Sequence, residues 1–295
     1  MTNSIPPTAP TEQRSPASTS PAPGAAPHTE TVVPQGRPEP PRTVQRVPWS
    51  VLGPHFIHAW GYPTRGGKRA AMPQHLEVLG QNGSGKSFFV TTVLRQRAAA
   101  RGSHIVFIAT KPDDDTVTAM GWPIVTDWPP DYGQNQVVYW PKSRGISKQG
   151  RQQQREKILK LMDALWQPQS NIIVVFDEIA YVSNDLNLRL ETEKYYREGR
   201  ALGITIVAGT QRPQGVTRYM HSESSWTVCF APKDDEDAER MAQVLGGKRT
   251  YMPILRMLDR TKYEFLIVEN LTGNMYISWI DTPKKKRKRA APNPR

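Results

Sequence analysis

His75–Val90 reads HLEVLGQNGSGKSFFV. Gly80, Gly85, Lys86 and Ser87 satisfy the pattern G-x-x-x-x-G-K-[ST] at every fixed position. The flanks agree with it. Leu76, Val78 and Leu79 predict a short strand before the loop, and Phe88, Phe89, Val90, Val93 and Leu94 open a helical pattern after it. Strand, glycine loop and helix are what phosphate binding requires. Gly80, Gly83 and Gly85 let the backbone curl so that its N–H groups face phosphate oxygens. The helix begun near Lys86 adds the positive end of its dipole. The candidate nucleotide-binding set is therefore Gly80, Gln81, Asn82, Gly83, Ser84, Gly85, Lys86 and Ser87. Lys86 is expected on the β- and γ-phosphates of ATP, and the Ser87 hydroxyl on Mg²⁺.

A second motif completes this chemistry. Asn171–Tyr181 reads NIIVVFDEIAY, in which five apolar residues, Ile172 to Phe176, end in two acids. A buried strand of this kind delivers a carboxylate to its C-terminal end, beside the phosphate loop. Asp177 is the expected partner of Ser87 around Mg²⁺. Glu178 is the expected general base, polarising a water for attack on the γ-phosphate. That role favours hydrolysis over storage or simple phosphoryl transfer.

The surrounding segments read as alternating helices and strands. The helix after the loop is expected to run to about Arg101, with Gly102 as its stop, and His104–Thr110 (HIVFIAT) as a buried strand. KPDDDT then follows at a strand end where ligands gather in open α/β sheets, which draws notice to Lys111 and Asp113. Trp122, Trp128, Tyr132, Tyr139 and Trp140 cluster among prolines and are expected to pack at a sheet edge, with a strand over Gln136–Trp140. Ser147–Gln167 and Asp185–Leu202 are expected helices, the latter stopped by Gly203. Ser225–Phe230 is an expected strand carrying Cys229 as a core thiol, and Asp234–Gly246 an expected helix. Tyr263–Val268 and Asn274–Ile280 are expected to pair as a hairpin about Leu271–Gly273. Residues 48–73 hold Trp49, Phe56 and Trp60 and are expected to pack on the main sheet.

The third motif is Ile204–Gly209 (ITIVAG) followed by Thr210, Gln211, Arg212 and Pro213. A Gln at this strand end is placed to sense the γ-phosphate and relay its loss. GRALGITIVAGTQRP at Gly199–Pro213, coming after GQNGSGKS and VVFDE, resembles the FtsK/HerA superfamily of ATP-driven DNA pumps over about residues 74–268. The first two motifs are common to many ATPases; the third, with its spacing, carries the resemblance.

The resemblance implies an α/β fold of the RecA-like P-loop NTPase kind. A central, mostly parallel sheet would be flanked by helices and extended by the C-terminal β-hairpin. It implies catalytic roles for Lys86, Glu178 and Gln211, and a homo-oligomeric ring, usually a hexamer. In such a ring an arginine of one subunit completes the next subunit's site; Arg200 and Arg212 both lie in the matching region, and Arg200 is preferred. The implied partner is double-stranded DNA. A membrane or capsid-vertex protein is a further expected partner, since no apolar run here is long enough to span a bilayer. No secretory signal is read at the start. The expected location is cytoplasmic, or virion-associated in a virus. No membrane-spanning region or winged-helix module like those of the septal pumps is expected from these residues, and residues 48–73 read as too few for the barrel of the HerA branch.

Composition divides the chain. Residues 1–47 hold 11 prolines and almost no large apolar side chains, which predicts a disordered tail. Residues 48–282 form the expected motor domain. Residues 283–295 hold seven of the chain's 39 Lys and Arg, six of them consecutive from Lys284 to Arg289, and no acid. Of the net charge of +12, this tail supplies +7 and residues 1–47 supply +1, leaving +4 for the body. Polyanion binding is thus chiefly an argument about the tail. One cysteine among 295 residues excludes an internal disulfide. The leading reading is a DNA-translocating ATPase of genome packaging or DNA transfer. The alternative is a nucleotide-dependent switch or scaffold that binds a protein partner without pumping. A kinase is disfavoured, since no acceptor pocket or lid is legible.

Overall fold

A computed structural model describes residues 44–61, 74–101, 103–130, 134–142, 147–168, 170–211 and 213–281. The tails expected at 1–47 and 283–295 lie outside these residues, apart from 44–47, as do Tyr132 and Arg212.

In chain order the elements are β1 (Gln45–Arg46), α1 (Trp49–Gly61), β2 (His75–Leu79), α2 (Lys86–Arg101), β3 (His104–Ile108), α3 (Asp115–Thr118), β4 (Ile124–Val125), β5 (Gln136–Tyr139) and α4 (Lys148–Leu165). The second half adds β6 (Ile172–Phe176), α5 (Arg189–Glu198), β7 (Thr205–Thr210), α6 (Arg218–Glu223), β8 (Ser224–Phe230), α7 (Asp235–Val244), α8 (Lys248–Arg256), β9 (Phe265–Glu269) and β10 (Met275–Ser278). The strands form one sheet in the order β1-β10-β9-β8-β2-β7-β6-β3-β5-β4. From β8 to β4 all neighbours are parallel. The hairpin β9–β10 extends the sheet, β9 running antiparallel to β8 and β10 antiparallel to β9.

Parallel strands covered on both faces need apolar side chains on both faces. IIVVF in β6 is buried throughout, and HIVFI in β3 beyond its first residue. Period-two alternation then sorts the residues between two cores. Val106, Ile108, Val174, Phe176, Ile206 and Ala208 face Ile158 and Leu161 of α4, Tyr195 and Tyr196 of α5 and Met241 of α7. Leu76, Val78, Ile105, Phe107, Ile173 and Val207 face Trp49, Phe56 and Trp60 of α1 and Phe89, Val93 and Leu94 of α2. Cys229 is fully buried in the first core.

Most of the expected helix and strand boundaries fall within two residues of those observed, and the following segments differ. Asp185–Leu202 is not one helix. A π-helical turn (Tyr181–Asp185), α5 and a 3₁₀ turn (Gly199–Leu202) replace it. Leu186 and Leu188 turn inward to the core while Asn187 takes a left-handed φ of 52°, which interrupts the helical path. Gly203 does stop the last turn, at φ 83°. Tyr263 precedes β9 rather than opening it, because it too is left-handed, at φ 54°. α8 carries no expectation from the sequence; Pro253 lies inside it, and Leu255 is buried. β1 and β4 are two-residue strands too short to leave a pattern. Tyr139 and Trp140 are buried, and Trp128 meets Tyr139 edge-on, as expected of edge packing. Among the described residues no helix is long and apolar enough to cross a membrane.

Candidate active site

The parallel run of β2, β7, β6 and β3 brings four strand ends to one rim of the sheet. Leu79 pairs with Thr210, and Phe176 with both Ala208 and Ile108, so the phosphate loop, Thr210, Asp177 and the start of KPDDDT emerge together. Two close approaches make this possible. Gly85 has φ 102°, a conformation that only glycine adopts freely, at the turn where the loop enters α2. At Gly209 a Cβ would lie 2.6 Å from the Asp177 carbonyl oxygen, so a bare backbone is what lets β6 end so close to β7.

Lys86 is buried and donates to the Gln81 carbonyl at 3.0 Å, closing the loop on itself. Burial lowers its pKa to about 8, against the pull of Glu178 and Asp177 and with a push from Lys111. Glu178 accepts from Thr210 Oγ1 at 2.9 Å and from the Gln211 backbone N–H at 3.2 Å. Burial pushes its carboxyl above the usual carboxylate range. The Thr210 hydroxyl, Lys86 and the Gln211 N–H oppose that, and Asp177 adds to it. Thr210 also accepts the Gly80 N–H through its carbonyl at 3.2 Å, so one residue of β7 touches both the loop and the acid.

Asp177 is nearly buried, and Lys111 Nζ lies 2.8 Å from its Oδ2. The same ammonium is 2.9 Å from Asp114 Oδ2. Burial alone would lower the Lys111 pKa, but the two carboxylates outweigh it and hold it above the ordinary lysine value. Of the two residues the sequence draws notice to, Lys111 stands at the site, paired with Asp114 and Asp177, and Asp113 is not among its partners. Asp114 caps α3, its Oδ1 accepting from the backbone N–H of Thr116 and Val117.

A cleft of about 630 Å³ opens over the loop. Its polar side holds Gln81, Lys86, Ser87, Lys111, Asp177 and Gln211, and its other wall is Phe88, Phe230, Tyr263 and Phe265. Phe88 and Tyr263 are exposed there, offering flat apolar faces. A smaller cleft continues past Gln211 to Asp237 and Arg240 of α7. Gln81 bonds Asp237, tying the loop to that helix.

The arrangement suits a magnesium–nucleotide complex. Ser84 Oγ is buried within the loop without a hydrogen-bond partner among the described residues. The oxygen donors nearby are one carboxylate and one hydroxyl, and no group of three or more His, Cys, Asp or Glu forms a cation cage among the described residues. A Mg²⁺ that arrives with phosphates needs no more.

The structure thus brings together Gly80 to Ser87, Lys86, Asp177, Glu178 and Gln211. It does not bring Arg200 to them. Arg200 precedes β7 and lies at the opposite rim, where it bonds the backbone carbonyl and the carboxylate of Glu223. The aromatic wall and the pairing of Lys111 with Asp177 were not read from the sequence. Tyr263 and Phe265 are far from any motif, while the position of Lys111 at a strand end was the one available signal for that pair.

No protein-family model matches the chain, and no curated protein matches it in sequence. Solved structures do match it in fold. The DNA-packaging ATPase B204 from Sulfolobus turreted icosahedral virus superposes with a TM-score of 0.51 at 14% identity, covering 71% of this chain and 98% of B204. The genome packaging NTPase B204 from Sulfolobus turreted icosahedral virus 2, in complex with ATP-gammaS, gives 0.51 at 13% identity, covering 69% of this chain and 95% of the other. VirB4 of Thermoanaerobacter pseudethanolicus gives 0.56 at 11% identity, covering 76% and 92%. At such identities the likeness is one of fold, and it extends along nearly the whole of each neighbour: the chain has the RecA-like P-loop ATPase fold of these proteins.

Proposed function

We propose that the chain is a Mg²⁺-dependent ATPase that translocates double-stranded DNA as a homo-oligomeric ring, hexameric by its resemblance, in genome packaging or DNA transfer. The observation that carries this reading is the pair of hydrogen bonds on Glu178, which fix a half-buried carboxylate at the rim shared with the phosphate loop. Each Glu178 oxygen accepts one bond and keeps a lone pair. The carboxylate orients a water and takes its proton as the water attacks the γ-phosphate of ATP. Lys86 and the loop N–H groups hold the phosphate charge. Ser87 and Asp177 would hold Mg²⁺, which supplies charge neutralisation across the phosphates. Phe88 and Tyr263 give the adenine base a stacking surface. Gln211 donates its own N–H to Glu178, so loss of the γ-phosphate reaches the segment after β7 directly. Arg200, on the far rim, serves a neighbouring subunit's site rather than its own.

The DNA part rests on B204, a genome packaging ATPase of the same fold, and on the basic run Lys284–Arg289. Contacts to the phosphate backbone would make sequence preference weak and salt dependence strong. The location that follows is cytoplasmic or virion-associated, with a membrane or capsid-vertex protein as anchor. The test is ATP turnover by the full chain with and without duplex DNA, across a salt series. Turnover is expected to rise with duplex DNA, and the stimulation to fade as salt rises. A rate indifferent to DNA would leave a nucleotide switch or scaffold in place of a pump.

A further inference from the structure

Lys111 occupies an unusual position for a residue outside the three motifs. Its ammonium lies 2.8 Å from Asp177 Oδ2, the carboxylate on which Mg²⁺ would depend, and 2.9 Å from Asp114 Oδ2. Asp177 is almost fully buried. A buried carboxylate needs a partner of opposite charge or a donor, and here Lys111 supplies both. An ammonium at that distance also sets a positive charge beside the place a divalent cation would take on this carboxylate, and the two cations repel. Lys111 and the metal therefore compete for one group.

The surroundings let that competition be settled by a side chain alone. The Lys111 backbone is pinned, since its carbonyl accepts the indole N–H of buried Trp140 at 2.7 Å. Asp114 is pinned as the cap of α3, with Oδ1 committed to two backbone N–H groups and Oδ2 left for Lys111. The Lys111 side chain is about one-third exposed and rides on a flexible four-carbon stem. It can leave Asp177 and keep Asp114 without moving either strand.

Resting on the nucleotide-site reading above, we propose that Lys111 is an exchangeable counter-ion. It holds Asp177 while the site is empty and hands it over, retreating to Asp114, when a divalent cation arrives together with a nucleoside triphosphate. A bare cation finds only Asp177 and Ser87 there and does not displace the ammonium. A cation carrying phosphates brings its own negative charge and does. The site thus rejects free metal and admits the metal–nucleotide complex, which orders binding and keeps the empty site electrically balanced.

Mn²⁺ titration followed by electron paramagnetic resonance tests this on the full chain, without nucleotide and with ATP. Lys111→Met is expected to bind Mn²⁺ alone roughly tenfold more tightly than wild type, about the worth of one charge-assisted hydrogen bond. Asp114→Asn keeps a capping side chain but removes the retreat. It is expected to weaken Mn²⁺ uptake in the presence of ATP several-fold, the opposite direction. A lysine that stayed on Asp177 throughout would, on removal, tighten Mn²⁺ equally with and without ATP, whereas an exchanged one does so chiefly without ATP. Folded Lys111→Met, checked by its melting curve, with Mn²⁺ affinity within twofold of wild type would overturn the proposal. If that variant does not fold, Asp114→Asn decides, and unchanged uptake with ATP overturns it. Failure of the wild-type chain to bind ATP in the same experiment would instead remove the nucleotide site on which the exchange depends.

Discussion

Glu178→Gln keeps the shape of the side chain while removing one negative charge and the proton acceptor. The local bonds can survive the change. The amide oxygen can accept the Gln211 N–H, and the amide nitrogen can donate to Thr210 Oγ1, where Glu178 now accepts. Stability should therefore not fall. Burial holds the Glu178 carboxyl above the usual range, so carrying its charge costs the folded chain some stability, and the neutral amide removes that cost. Nucleotide affinity should hold or rise, because the rim loses a negative charge that faces the phosphates. The rate should collapse. A positioned general base contributes on the order of 10²- to 10⁴-fold, which is about 3–5 kcal/mol of barrier. Single-turnover ATP hydrolysis, binding of a fluorescent ATP analogue and a melting curve measure the three quantities on one preparation. Hydrolysis within about tenfold of wild type, with binding intact, would refute the assignment and move the base elsewhere.

Three further outcomes are expected. His75 is fully buried, accepts the Ile206 N–H on Nδ1 and faces the Tyr196 carbonyl with Nε2. Burial, with the nearby charge of Arg200, lowers its pKa to about 3, against the Tyr196 carbonyl. A depressed histidine binds its proton first in the unfolded chain, so stability is lost as pH falls below 6.5. Between pH 6.5 and 5 the loss is roughly 1.5–2 kcal/mol, read as the shift in urea midpoint that His75→Gln abolishes. His221 has the opposite sign. Burial lowers its pKa, but the bond to Glu77 outweighs that, so its contribution is present below 6.5 and fades only as pH rises through its raised value. Gly209→Ala would set a methyl 2.6 Å from the Asp177 carbonyl. It should cost about 1–3 kcal/mol in chemical denaturation and lower turnover by displacing both acids. Removal of residues 283–295 should reduce the slope of log affinity for duplex DNA against log salt, by as much as about 6 for seven cations, with the ATPase rate measured without DNA unchanged.

Much of the site was legible because its chemistry fixes residue types over a short span. The curl of the phosphate loop demands glycines at set positions, and a buried parallel strand ending in acids has few other readings. What was not legible depends on strand order. Lys111 and Asp177 are 66 positions apart, and they meet only because β3 and β6 are neighbours. Asp113 and Asp114 are equivalent in sequence, and the start of α3 alone distinguishes them. Arg200 is read as the candidate arginine for a neighbouring site, and only the fold shows Glu223 of α6 beside it. Tyr263 and Phe265 join the cleft because the hairpin folds back onto β8, a contact between distant segments that no local pattern encodes.

β7 has Thr210 at one end and follows directly from the turn that carries Arg200 at the other. Six extended residues span about 20 Å, clamped on both sides by β2 and β6. Such a rod is stiff along its length. A push delivered where the γ-phosphate is lost would emerge at the opposite rim with little attenuation, needing no hinge in between. In a ring of the kind proposed above, that rod would tie each subunit's phosphate site to the Arg200 turn on its far rim.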